Sequence, residues 1–183
     1  GRAVVDGNRL FRFPGNKYVR VPEHGLFSAL ATLAGTRAVL AHALLTGWPL
    51  ETIDVTSAYL QARWPDSVEP HFVSLPADLI ELLPEHLRVP AQALEKPVFR
   101  LKRALYGHPA SGHIWVNLFT DTLVKFGWTQ SAADPALFTK GRSIIAVYVD
   151  DVIAAGPPDQ LRQLWKDIAE AFECDTAGGP AEL

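Results

Sequence analysis

Ser143–Gly156 reads SIIAVYVDDVIAAG, and this segment carries the strongest structural signal in the chain. Two apolar runs, Ile144–Val149 and Val152–Ala155, flank the acidic pair Asp150 and Asp151. Such runs favour β-strands, so the segment predicts a short hairpin with two adjacent carboxylates at its tip. Neighbouring carboxylates repel and raise each other's pKa, and divalent cations such as Mg²⁺ favour such oxygen ligands. Because aspartate is also common in turns, an ordinary turn remains the alternative.

A third carboxylate, Asp54, stands in the segment ETIDVTSAYL (51–60). Leu50–Val55 predicts a short strand, and Ala58–Ala62 predicts the start of a helical turn. Asp54 is far from Asp150 in sequence, so only the fold can bring the two carboxylates together. The alternative for Asp54 is a helix N-cap, since aspartate at a strand-to-helix junction accepts free backbone N–H groups.

The composition of the 183-residue chain is that of a globular domain with a sizeable core. Hydrophobic residues make up 48% and charged residues 20%, which excludes a disordered chain. The sequence contains neither an apolar run of transmembrane length nor a signal-peptide pattern. The one cysteine, Cys174, excludes an internal disulfide and is typical of a reducing compartment. Because the chain starts at Gly1 and has no methionine, we expect a fragment or a processed piece.

Apolar spacing predicts the other elements of an α+β fold. The predicted strands are a hairpin or two short strands in residues 1–20, then His71–Leu75, Val98–Leu101 and Ala136–Thr139. The predicted helical segments are Leu26–Leu45, with Gly35 weakening its middle, Ala77–Leu83, a helix from Ile114 to Phe126, and Pro158–Phe172. Residues 63–97 contain six prolines and are expected to be rich in loops.

Three segments, in this order, resemble the reverse transcriptase of copia-type retrotransposon polyproteins, an RNA-directed DNA polymerase. They are IDVTSAYL (53–60), VFRLKRALYG (98–107) followed by Trp115, and ADPALFTK (133–140) leading into AVYVDDVIAAG (146–156). RAVVDGN (2–8) also resembles the fingers strand of that family. The resemblance spans nearly the whole chain.

The resemblance implies a right-hand polymerase in which an antiparallel palm sheet is backed by helices. Residues 1–183 would form one fingers-and-palm region, with 1–48 fingers-like and 49–183 the palm. The proline-rich residues 63–97 would be an excursion from the palm. The thumb and the RNase H region are expected to be absent from this piece.

The resemblance also implies a two-metal-ion site for nucleotidyl transfer. Asp54, Asp150 and Asp151 would be catalytic, and Asp54, Asp150 and Val55 would bind two Mg²⁺ or Mn²⁺ ions. The nucleotide-binding residues would be Arg2 at the triphosphate, Tyr59 under the incoming sugar, and Ala58 and Val149. Two such ions suit in-line displacement at phosphorus, which is the chemistry of primer extension.

The partners implied by the resemblance are an RNA or DNA template-primer and deoxynucleoside triphosphates. The integrase and RNase H regions of a polyprotein are expected in the full-length chain. No membrane partner is expected. The expected location is intracellular, in a cytoplasmic particle or the nucleus.

The chain departs from the family pattern after Leu105-Tyr106-Gly107. The family has leucine where this chain has His108, glutamine where it has Ala110, and arginine where it has His113. These departures fall near the expected nucleotide site and leave two alternatives open. One is a decayed or domesticated module that binds RNA or protein, and the other is an unrelated metal-dependent phosphohydrolase.

Overall fold

The computed structural model describes residues 11–12, 19–20, 30–67 and 69–175. Phe11–Arg12 (β1) and Val19–Arg20 (β2) pair antiparallel, as expected for the first 20 residues. Arg2 lies outside the described residues. Within the described part of the chain, no helix is both long and apolar enough to cross a bilayer.

A six-stranded antiparallel sheet forms the centre of the described structure. Its strand order is β10-β3-β9-β8-β7-β6. The strands are β3 (Leu50–Val55), β6 (Thr129–Gln130), β7 (Leu137–Lys140), β8 (Ser143–Tyr148), β9 (Asp151–Ala155) and β10 (Cys174–Asp175). A separate two-stranded sheet joins β4 (Phe72–Ser74) to β5 (Val98–Arg100). The predicted central hairpin is therefore β8–β9, and β3 has the predicted bounds.

Six helices accompany the sheets in the described residues. They are α1 (Leu33–Thr46), α2 (Ala58–Gln61), α3 (Ala77–Glu81), α4 (Glu85–Gln92), α5 (Pro109–Lys125) and α6 (Pro158–Ala171). The mixed helix and antiparallel-sheet architecture confirms the α+β prediction. The assignment of fingers and palm to particular residues stays a prediction.

Helices cover both faces of the large sheet. On one face the buried side chains of α5 and α6, including Trp115, Phe119 and Leu164, share a core with the strand residues Ile145 and Val152. This face carries most of the buried apolar surface and so most of the hydrophobic stabilisation.

On the opposite face, Val39 and Ala43 of α1 pack against the small strand residues Ala146 and Ala155. Alanine at both strand positions lets the helix lie close to the sheet. The sheet is thus fixed on both sides, and its strand ends are held in a defined register.

The first helix begins later than its apolar spacing predicted. Residues 30–32 are not helical, and α1 begins at Leu33 after the N-cap Thr32, whose hydroxyl accepts from the Gly35 N–H at 2.9 Å. Gly35 therefore lies in the first turn and not in the middle of the helix. A Cβ at Gly35 would lie 2.6 Å from Asp134 Oδ2, so glycine permits the close approach of α1 to the β6–β7 loop.

Two other helices differ from the sequence prediction. Helix α4 was missed because Pro90 lies inside it, and proline usually ends a helix. Helix α5 begins at Pro109 and not near Ile114, because the side chain of His108 caps it by accepting from the Ala110 N–H. Histidine is an uncommon N-cap, so the sequence carried little signal for that start.

Candidate active site

Two of the predicted carboxylates meet as neighbours across the sheet. Asp54 of β3 is the register partner of Asp151 at the start of β9. On the other side of β3, Asp175 of β10 is also a partner of Asp54. Directly opposed residues in an antiparallel pair have side chains on the same face, with Cβ atoms ~4.5–5.5 Å apart. The strands therefore align three acidic side chains in one row.

The row lies on the same sheet face as α1, but outside the area that α1 covers. Alternation along β3 and β9 places Asp54 and Asp151 on the same face as Leu50 and Ala155, which contact the small core under α1. Asp54 and Asp151 are themselves exposed. The carboxylates are thus open to a ligand from solvent. Asp54 lies within a strand, and Ser57 is the residue that precedes α2, so the N-cap interpretation of Asp54 is wrong.

Asp150 occupies the two-residue turn between β8 and β9, where Tyr148 and Asp151 are register partners. The carbonyl of Asp150 accepts from the Val55 N–H at 2.9 Å, which joins the turn to the end of β3. Val149, the other turn residue, has a φ of 58°, an uncommon value for a β-branched residue. Its carbonyl accepts from Trp115 Nε1 at 2.6 Å, and Trp115 is fully buried. The turn is therefore held by both β3 and α5.

The local electrostatics are those of crowded like charges. Burial raises the pKa of Asp151, and the charges of Asp150 and Asp54 raise it further. The expectation that repulsion raises the pKa of one carboxyl group is thus confirmed. The unfavourable charge would be offset by a bound cation, because an opposite charge stabilises the ionised carboxylates.

The carboxylate and carbonyl oxygens of this region suit one particular way of binding Mg²⁺. Among the described residues, no three His, Cys, Asp or Glu side chains are grouped closely enough to hold a metal ion by themselves. Mg²⁺ is commonly bound by one or two carboxylates, waters and the phosphates of a substrate, without an all-protein cage. Asp54 and Asp150, with a backbone carbonyl, would supply the protein share of such a site. The residues present therefore fit the expected ions.

Asp150 and two other tyrosines lie near the phenol of Tyr59. Burial raises the pKa of Tyr59, and the nearby charge of Asp150 contributes next, followed by Tyr106 and Tyr148. The rings of Tyr59 and Tyr106 stack at 4.7 Å between centroids and 26° between planes. Tyr59 is half-buried, whereas Tyr148 is exposed. The phenol of Tyr59 thus stays protonated beside the acidic turn.

The neighbouring Ala58 is the fully buried first residue of α2. Its side chain is part of the large core, next to Tyr59. Val55 is likewise fully buried.

The sequence profile of the reverse transcriptase (RNA-dependent DNA polymerase) family matches residues 1–180. The chain belongs to this family. It is 29% identical over 153 residues to the retrovirus-related Pol polyprotein from transposon RE1 of Arabidopsis thaliana, a match that covers 80% of this chain and 9% of that protein. It is 31% identical over 136 residues to the corresponding polyprotein from transposon RE2 of the same plant, covering 71% of this chain and 8% of that protein.

These matches confirm the resemblance drawn from the three sequence segments. The reverse transcriptase chain spans less than a tenth of the length of either transposon polyprotein. What the rest of those proteins contributes to activity is therefore a separate question from the fold described for this chain.

The residues at which this chain departs from its family have structural roles of their own. His108 is 4% exposed, and its Nδ1 accepts from the Ala110 N–H at 3.1 Å. Its Nε2 must then carry the proton, and it donates to His71 Nδ1 at 2.9 Å. Burial, and next the proximity of His71, lower the pKa of His108 to about 4. The leucine of the family is thus replaced by a neutral, hydrogen-bonded histidine.

Two further departures lie on the first turns of α5. Ala110 is buried, and its methyl group cannot replace the amide contact of the family's glutamine. His113 is exposed, and its Nε2 accepts from the side-chain amide of Asn117 at 3.0 Å. An imidazole held this way cannot present the fork of donors that an arginine has.

Sequence reasoning missed three contributors to this candidate site: Trp115 as the anchor of the turn, Tyr106 as the stacking partner of Tyr59, and Asp175 in the acidic row. Trp115 and Tyr106 each stand in a quoted motif, so their presence was visible and only their contacts were not. Asp175 belongs to a two-residue strand that no periodicity can reveal.

Proposed function

We propose that this chain is the catalytic region of an RNA-directed DNA polymerase encoded by a transposon, and that it extends a primer by two-metal-ion nucleotidyl transfer. The observation that carries the proposal is the register that sets Asp54 beside Asp151, next to the turn at Asp150. Its proposed substrates are a template-primer and deoxynucleoside triphosphates. Its proposed frame is a right-hand polymerase, with the large sheet as the palm and residues 1–48 as part of the fingers.

In this proposal, Asp54 and Asp150 hold Mg²⁺ or Mn²⁺ together with the backbone of Val55. When bound, the ions supply Lewis-acid activation of the primer hydroxyl and neutralise charge on the phosphates. Asp151 adds negative charge beside them. A site on β3 and on the β8–β9 turn has both carboxylates on rigid elements, which keeps reacting groups in a productive geometry.

The remaining assignments concern the nucleotide. Tyr59 would lie under the incoming sugar, where a ring can exclude the 2′-hydroxyl that distinguishes RNA from DNA precursors. Ala58 and Val149 would shape the pocket around it, and Arg2 would contact the triphosphate through its fork of donors.

The proposal is tested by nucleotide incorporation and by metal binding. Asp54→Asn and Asp150→Asn should each abolish measurable primer extension, whereas Asp121→Asn, an acid-to-amide change on α5, should not. Mg²⁺ or Mn²⁺ should raise the melting temperature of the wild type and of Asp121→Asn, and raise it much less in Asp150→Asn, because the ion stabilises only the fold that binds it. Equal metal-induced shifts in all of these proteins would overturn the metal site.

A second candidate function is a module that has kept the fold and lost efficient catalysis. The buried methyl group of Ala110 and the imidazole ring of His113 favour it, because the glutamine and arginine that the family has at these positions are then missing near the nucleotide site. Restoring them together, by Ala110→Gln and His113→Arg, should raise incorporation in a polymerase. Undetectable incorporation by both the wild type and the restored variant would favour this second candidate.

A further inference from the structure

The proposed sugar-selecting ring stands on a short helix whose backbone is tied through Leu60 and Gln61, and these backbone bonds do not by themselves fix the ring. Helix α2, which carries Tyr59, has only four residues. Its N-cap Ser57 has a φ of 51° and makes no side-chain capping bond. A ring that excludes a 2′-hydroxyl by contact must resist being pushed aside, so its rigidity has to come from elsewhere in the molecule.

The segment that carries Tyr106 is hydrogen-bonded to two different helical regions. The Ala104 N–H donates to the carbonyl of Ala62 at 2.9 Å, which links the segment to the end of α2. The Leu105 N–H donates to Ser111 Oγ at 2.8 Å, and Ser111 is fully buried in α5. The segment is therefore a rigid bridge between the helix that carries Tyr59 and the long helix behind the sheet.

Tyr106 and the acidic turn both lie close to Tyr59. The ring of Tyr106 stacks on that of Tyr59 at 4.7 Å between centroids. Asp150 is near enough for its charge to act on the Tyr59 phenol. The aromatic stack therefore restrains the ring of Tyr59.

We propose that Tyr106 is a positioning residue that holds the ring of Tyr59 in place and so sets the discrimination between deoxyribonucleotides and ribonucleotides. This inference rests on the polymerase function proposed above. Tyr106 acts through Tyr59, so removing Tyr106 should change sugar selectivity more than the rate with the correct nucleotide.

The test is single-turnover incorporation of one deoxynucleotide or one ribonucleotide with Mn²⁺, at protein concentrations high enough to saturate the template-primer. Tyr106→Leu should lower the selectivity ratio about 2- to 10-fold, the range expected from the energy of an aromatic pair. Tyr106→Phe, which keeps the ring, should retain the wild-type ratio. Phe126→Leu is the matched control, a half-buried aromatic at the far end of α5, ~25 Å along the helix, and it should leave the ratio unchanged.

A double-mutant comparison separates positioning from an independent contact. In a Tyr59→Leu background, Tyr106→Leu should change selectivity no further, because its effect passes through the missing ring. Tyr106→Met, which keeps apolar volume without a ring, serves if circular dichroism shows that the leucine variant does not fold.

Unchanged selectivity in folded Tyr106→Leu or Tyr106→Met, or an effect that adds fully to that of Tyr59→Leu, would overturn the inference while incorporation by the wild type upheld the polymerase function. A wild type that incorporates no nucleotide would overturn both.

Discussion

At the scale of single residues, His108 shows how a departure from the family pattern can be accommodated in the core. Its ring lies edge-on to Trp64 and tilted against His71, with ring centroids 5.0 and 4.9 Å away. Both of its nitrogens are hydrogen-bonded in the neutral form, and protonation at Nδ1 would remove the acceptor that caps α5. A leucine would fill the same space without this dependence on pH.

His108 should make the stability of the fold depend on pH in a defined window. Its pKa is about 4 in the folded chain and 6.5 as the ordinary value, so the unfolded chain binds more protons between these two pH values. The free energy of unfolding should therefore be fully retained above pH 6.5 and fall by ~1–3 kcal/mol as the pH drops to about 4. Urea unfolding at several pH values measures this loss.

The control for His108 lies on the same helix. His108→Leu should flatten the pH dependence between pH 4 and 6.5, whereas His113→Leu, at an exposed position, should leave it unchanged. An identical pH dependence in His108→Leu and the wild type would show that the stability loss arises from other groups.

At the scale of elements, the indole of Trp115 links α5 to the turn that carries Asp150. Its N–H donates to the carbonyl of Val149, the turn residue with the positive φ. This bond supports the turn from the sheet face on which α5 lies. Trp115→Phe should cost ~1–3 kcal/mol of stability, because the Val149 carbonyl loses its partner. Nucleotide incorporation should fall more than stability predicts, since small displacements of reacting groups can cost ~100-fold in rate.

The measurement compares incorporation at a temperature at which both proteins are fully folded. Phe119→Leu, on the same helix and in the same core but without a bond to the turn, is the reference for lost packing alone. Equal rate losses in the two variants would show that the turn does not depend on the indole.

Gly35→Ala is a second test at this scale. Helix propensity alone predicts that this change stabilises the protein, whereas the packing predicts that it destabilises it. Alanine in place of glycine usually stabilises a helix by ~1 kcal/mol. Here the new Cβ would meet Asp134 Oδ2, which also accepts from the Thr32 hydroxyl at 2.7 Å. Gly35→Ala should therefore destabilise the protein by ~1–3 kcal/mol in thermal or urea unfolding. Arg37→Ala, exposed on the same helix, should change stability little, and a stabilised Gly35→Ala would contradict the close packing.

The sequence predicted the elements whose signal is local. Asp150 and Asp151 stood between two strand-forming runs, and the hairpin was found where expected, with its turn one residue earlier, at Val149 and Asp150. What failed depended on contacts distant in sequence or on an uncommon local cap. The start of α1 depends on Asp134, the start of α5 on a histidine cap, and the strand at Cys174 on pairing with β3.

At the scale of the whole molecule, the chain has a net charge of −3, which is unusual for a protein that binds nucleic acid. Phosphate contacts by Lys and Arg supply most non-specific affinity for nucleic acid, and they make binding fall with salt. The acidic row of Asp175, Asp54 and Asp151 adds local repulsion for a phosphate backbone when no cation is bound. The matched transposon polyproteins are more than ten times longer than the region they share with this chain, so basic surface can be supplied elsewhere in such proteins.

The 183-residue chain by itself should therefore bind a template-primer weakly and extend it without processivity. We expect a dissociation constant no tighter than ~10⁻⁶ M at ~150 mM salt, the range of non-specific binding, with affinity improved by Mg²⁺ because the ion neutralises the carboxylates. Fluorescence anisotropy over a salt series gives the affinity and the number of phosphate contacts. Primer extension with an excess of unlabelled trap DNA shows whether more than one nucleotide is added per encounter.

Asp121→Asn changes the net charge by one unit away from the acidic row and should bind like the wild type, whereas Asp54→Asn should bind more tightly without metal. Nanomolar binding, or long products formed in the presence of the trap, would show that this chain already holds the duplex and that its charge distribution does not limit nucleic-acid affinity.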